Sequence, residues 1–74
     1  LIDDFIKAEK FLKRSVKLMP NDPIVNDHYG DILWKLDRKI QARYYWLMVL
    51  KMEDVDQEQI DQIQNKLIYG PKSS

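Results

Sequence analysis

Ala8-Glu9-Lys10-Phe11-Leu12-Lys13-Arg14-Ser15-Val16-Lys17-Leu18 and Ala42-Arg43-Tyr44-Tyr45-Trp46-Leu47-Met48-Val49-Leu50-Lys51-Met52 lie 34 residues apart and read alike. The offset pairs Phe11 with Tyr45, Leu12 with Trp46, Val16 with Leu50, Lys17 with Lys51 and Leu18 with Met52. Size and polarity mostly persist where identity does not. About 34 residues is the period of a helix-turn-helix unit that buries its apolar face by stacking on a neighbour. A structural unit therefore recurs, and the pattern predicts an all-α fold.

Working outward, Pro20-Asn21-Asp22-Pro23 separates the two copies. Proline disfavours helix at the residue before it, Asn and Asp form turns and caps, and proline suits a first helical turn, so one helix stops here and another starts. Helical spacing of Ile2, Phe5, Ala8, Phe11, Leu12, Val16 and Leu18 predicts an amphipathic helix over residues 2–18. A second is expected over 23–36, with Tyr29, Gly30, Leu33 and Leu36 on one face, then a short turn at Asp37-Arg38-Lys39. Gly30 lowers helix propensity by about 1 kcal/mol relative to alanine, so its place in mid-helix predicts close approach of a neighbouring helix. Bulky residues from Ile40 to Leu50 predict a third helix over 39–52. Ile60, Ile63, Leu67 and Ile68, interleaved with Gln57, Asp61, Gln62, Gln64, Asn65 and Lys66, predict a fourth over 57–69.

Shifting by 34 maps Asn26 to Ile60, Tyr29 to Ile63 and Leu33 to Leu67, so the fourth helix is the first half of a unit that is not completed. One apolar stripe and a polar back are what a terminal cap needs. The expected organisation is thus a partial unit over 1–20, a complete unit over 21–54, a capping helix over 55–70 and a polar tail over 71–74. The chain opens at Leu1 in the middle of a helical pattern, which predicts a fragment from the C-terminal end of a longer array with units upstream.

The order of these features resembles the tetratricopeptide repeat, over residues 8–54. Tyr29, Gly30, Leu33, Ala42, Trp46 and Val49 fill the consensus positions of one complete repeat, and Ala8, Leu12, Ser15 and Pro20 those of the second half of the preceding one. Two positions depart from the family pattern: Asn26 replaces a large apolar residue, and Asp54 replaces the closing proline. The resemblance implies antiparallel helix pairs stacked as a solenoid fragment of about four helices, and a scaffold or adaptor role in protein-protein interaction.

Net charge is zero, which gives no whole-molecule attraction to nucleic acid or anionic lipid. Its distribution alternates: five basic groups against three acidic over 1–20, one against four over 21–37, four against one over 38–53 and two against four over 54–74. There is no cysteine, so neither a disulfide framework nor a thiolate site can form. No apolar run approaches the ~20 residues that span a bilayer.

Chemistry has little to work with. The one histidine, His28, has no nucleophile at a catalytic spacing, and it points away from the face shared by Asp27 and Asp31, so neither catalysis nor a metal site is expected. No cofactor motif is present. Ile24, Asp27, Asp31, Trp34 and Lys35 share one side of the second helix. The resemblance makes this the concave, peptide-contacting surface. Two carboxylates beside an exposed indole would suit a basic or apolar-plus-cationic peptide, against the plainer reading of solvated aspartates and a packed Trp34. Their sign disfavours the family's grip on a C-terminal carboxylate. Lys10, Lys13, Arg14 and Lys17, with Arg38, Lys39, Arg43 and Lys51, form a basic convex set that reads as solvated helix faces of a neutral protein rather than a nucleic-acid surface. Tyr44, Leu47 and Met48 are left over as apolar surface, which points to self-association or to further units.

Overall fold

A computed structural model describes residues 1–71 as four helices: α1 (Ile2–Leu18), α2 (Pro23–Lys35), α3 (Lys39–Leu50) and α4 (Gln57–Tyr69). The fold is all-α. Residues 72–74 of the expected polar tail lie outside the described part.

Breaks between helices follow from side-chain chemistry. Asp22 caps α2 through Oδ1, which accepts from the backbone N–H groups of Ile24 at 2.9 Å and Val25 at 3.0 Å, with Pro23 in the first turn. Asp56 does the same for α4, accepting from the N–H of Gln59 at 2.8 Å. At the other end of α4 the N–H of Gly70 reaches the Lys66 carbonyl, and a φ of 78° at Gly70 ends the helix.

The reversal between α2 and α3 takes three residues. Asp37 has a φ of 61°, the left-handed region that glycine fills at lower cost. Around it the Arg38 N–H bonds the Leu33 carbonyl at 2.9 Å and the Asp37 N–H bonds that of Trp34 at 3.0 Å. That pair of bonds is a Schellman ending, and it stops α2 one residue before the expected Leu36. α3 also ends early, at Leu50, because Lys51 and Met52 turn tightly to bond Met48 and Val49.

α2 packs against both α1 and α3, and α4 packs on α3. The core is Tyr29, Leu33, Ala42, Trp46, Val49 and Ile63, from α2, α3 and α4. α1 contributes no fully buried residue: Ala8 and Leu12 are half-buried, and Pro20, in the turn that follows, is exposed. Ile40, expected among the bulky residues of the third helix, is 86% exposed, and with Tyr44 and Leu47 it forms an outward row on α3.

Gly30 admits the indole of Trp46. A Cβ at position 30 would collide with Nε1 and lie 2.7 Å from Cδ1, so the close approach is by a side chain rather than by a helix backbone. The same indole N–H points at the Asp27 carbonyl, 3.4 Å away. Asn26 is fully buried, and its Nδ2 donates to the carbonyls of Pro20 at 3.1 Å and Asp22 at 2.8 Å. Where the repeat pattern calls for bulk, hydrogen bonding ties the α1–α2 turn to the helix it precedes.

Candidate functional site

The groups with the most chemistry gather where α2 faces α4. Lys66 extends its ammonium between two carboxylates of α2, 2.7 Å from Asp27 Oδ1 and 2.9 Å and 3.1 Å from the two oxygens of Asp31. Gln59, one turn into α4, donates Nε2 to the Pro23 carbonyl at 3.1 Å and to Asp27 Oδ2 at 3.4 Å. Asp27 is therefore satisfied at both oxygens and only 7% exposed. It belongs to the buried layer, in contrast to the open carboxylate that the spacing suggested.

One cation serves two anions, and the titration behaviour follows. Burial works against the Lys66 ammonium, yet the hydrogen bonds it donates to Asp27 and Asp31 outweigh it and hold its pKa above the ordinary 10.5. Asp31 goes the other way from a well-paired carboxylate. Burial raises its pKa above the ordinary 3.8, helped by the neighbouring charge of Asp27, and its share of Lys66 does not compensate. The cluster keeps one negative charge in excess.

Trp34 follows the plainer alternative, a packed indole, and not the exposed one. It is half-buried, its ring centroid 5.6 Å from that of Trp46, and it rests on Gly70 beyond the end of α4. Lys39 Nζ covers it at 5.0 Å, a cation–π distance. Ile24 is 53% exposed, while Lys35 stands in solvent with its ammonium 5.5 Å from the Phe5 ring. The face of α2 left to solvent thus carries Ile24, His28, part of Asp31 and Lys35, so that His28 shares a face with Asp31 instead of pointing away from it, and the five expected residues divide: Ile24, Asp31 and Lys35 remain on it, Asp27 and Trp34 do not.

Sequence reading missed Lys66, Gln59 and Asn26. A signal for the first two was present: Gln59, Ile63 and Lys66 follow helical spacing on one face of α4, so a lysine shares the buried stripe and needs a carboxylate opposite. Of the basic convex set, Arg43 is engaged, donating Nη1 to the Leu67 carbonyl at 2.6 Å. Tyr29 donates its hydroxyl to Glu9 at 3.1 Å, and burial together with this acceptor pushes its pKa up to about 12. Among the described residues no group of three potential ligands could hold a metal ion, and no helix is long and apolar enough to cross a membrane.

No family model, curated protein or solved structure matches this chain.

Proposed function

We propose that this chain is a non-catalytic protein-protein interaction module of the tetratricopeptide type, a scaffold or adaptor unit that takes a basic or apolar-plus-cationic peptide along the exposed face of α2. The observation that carries this reading is the uncompensated charge of the Asp27–Lys66–Asp31 cluster. Asp31 lies at its outer edge, with side-chain exposure of 30%, next to the solvent-facing Ile24 and His28 stripe. A lysine or arginine arriving there supplies the missing positive charge, and an apolar neighbour in the peptide covers Ile24.

Titrating fluorescently labelled peptides that carry lysine or arginine beside leucine tests this, with acidic peptides as the comparison. Binding of the basic set is expected to weaken with salt and to fall in Asp31→Asn and in Ile24→Ser, with helicity retained. Equal binding of the acidic set, or no effect of either substitution, would remove the reading. A second reading, a structural cap or homo-oligomerisation element, is favoured by the same lysine: α4 itself already reaches both carboxylates, and its outer side carries the exposed Gln57, Glu58, Asp61, Gln64 and Asn65.

A further inference from the structure

The 34-residue offset relates surfaces as well as positions. On α3, Val49 is fully buried, Tyr45 and Met52 pack against the core, and the Tyr45 ring meets that of Tyr29 at 4.7 Å between centroids. Their counterparts on α1 are Ser15, Phe11 and Leu18. Among the described residues nothing comparable covers those. Phe11 is 70% and Leu18 75% exposed, and with Ser15, Lys10 and Arg14 they line a shallow groove. At the other end of the chain, Gly30 and Leu33, which α2 turns to α3, correspond to Gln64 and Leu67 on α4. Gln64 stands in solvent and Leu67 is only half-buried. The α1 end therefore presents apolar Phe11 and Leu18 among basic residues, and the α4 end a polar side that begins with acidic ones.

We infer that copies of this chain associate head to tail, with α1 of one copy seated against α4 of the next as α3 is seated against α2. Charge and volume both fit that arrangement. Within the chain, Asn21 and Pro23 line a pocket with Met48, Lys51 and Met52. The offset converts this neighbourhood into Val55 and Gln57 of one copy beside Arg14, Lys17 and Leu18 of the next. Asp54, Asp56 and Glu58 flank the first pair, so an acidic helix start meets a basic helix end. The contact of Trp46 with Gly30 becomes one of Leu12 with Gln64: the smaller side chain on α1 faces the larger one on α4. The interface joins unlike surfaces, so it propagates and does not close at two.

The inference rests on the same repeating unit as the proposed function but uses its ends rather than the α2 face, so either can fail alone. Sedimentation of the whole chain over a wide concentration range is the test, with two charge-reversed variants: Arg14→Glu with Lys17→Glu, and Asp54→Lys with Glu58→Lys. All four residues are exposed, so helicity is expected to persist. The wild type should grow without stopping at a dimer and shrink as salt is added. Each variant alone should lose association, and an equimolar mixture should regain it, because the reversed α1 of one meets the reversed α4 start of the other. Phe11→Ser with Leu18→Ser provides an uncharged check and should likewise lose growth. A wild type that stays monomeric, one that stops at a dimer, or a folded mixture that fails to recover association would overturn the proposal.

Discussion

The indole of Trp46 occupies the space in which a Cβ on Gly30 would sit, so the largest side chain of α3 is inserted against the one backbone position of α2 without a side chain. Overpacking of this kind commonly destabilises by about 1–3 kcal/mol. Gly30→Ala is therefore expected to lower stability by about that range even though alanine has a helix propensity better by about 1 kcal/mol, and Gly30→Leu to lower it further. Urea denaturation reads both. An unchanged midpoint in either variant would contradict the geometry.

Lys66→Met leaves Asp27 and Asp31 facing each other in a mostly buried site. Breaking a buried pair by removing one partner costs about 3–5 kcal/mol, and the partial exposure of Asp31 brings the expectation here to about 2–4 kcal/mol at neutral pH. The sign of the pH dependence is set by Asp31, whose folded-state pKa is raised: its carboxylate destabilises when ionised and ceases to do so when protonated. Melting of wild type and variant should differ most near neutrality and converge on acidification. A constant gap would show that the carboxylates reach solvent without Lys66.

Alkali should loosen the fold through Tyr29. Unfolded, this phenol ionises at its ordinary 10.0; folded, burial and the Glu9 acceptor hold the proton to about 12. Its contribution to stability is complete below pH 10 and drains away as pH rises toward 12. Lys66, also raised, adds loss above its ordinary 10.5. Tyr29→Phe is expected to flatten the decline of melting temperature over this window without abolishing it, and an unaltered slope would place the alkaline transition elsewhere.

Asp37→Gly should stabilise the chain. A non-glycine residue in the left-handed region carries a penalty of about 1–2 kcal/mol, less for aspartate, and glycine also adds freedom to the unfolded chain, so the net gain expected is about 0.5–1 kcal/mol. Thermal unfolding checks it. A loss would mean that the aspartate side chain contributes more at the turn than its backbone strain removes.

How much of this was legible in the sequence depends on the range of the interaction involved. Helix limits at Ile2, Leu18, Pro23, Lys39 and Gln57 agree with the structure because caps, prolines and apolar periodicity act over a few residues. That Gly30 marks a close approach was legible too. That an indole makes the approach was not, because it needs the distance between two helices. The Asp27 and Asp31 pair could be seen on one helical wheel, but its partner lies 39 residues from Asp27, on another helix. A wheel of α2 alone leaves both carboxylates facing solvent, and reversing both to lysine, harmless on that view, would crowd three ammonium groups into one pocket. Asn26 escaped for a related reason: it replaces bulk by bonds to carbonyls of the turn before it, and residue type alone does not say which backbone groups lack a partner.

The three-residue reversal at Asp37 also bears on the order in which the molecule forms. Closing so short a loop brings Leu33 and Gly30 to Ala42 and Trp46 with little loss of chain entropy, whereas the Lys66 clamp must close a loop several times longer. The α2–α3 hairpin is thus the natural nucleus, with α1 and α4 adding to it afterwards. Backbone amides of Leu33 and Trp46 should accordingly exchange with solvent more slowly than those near the ends of α1 and α4, which open without disturbing the hairpin.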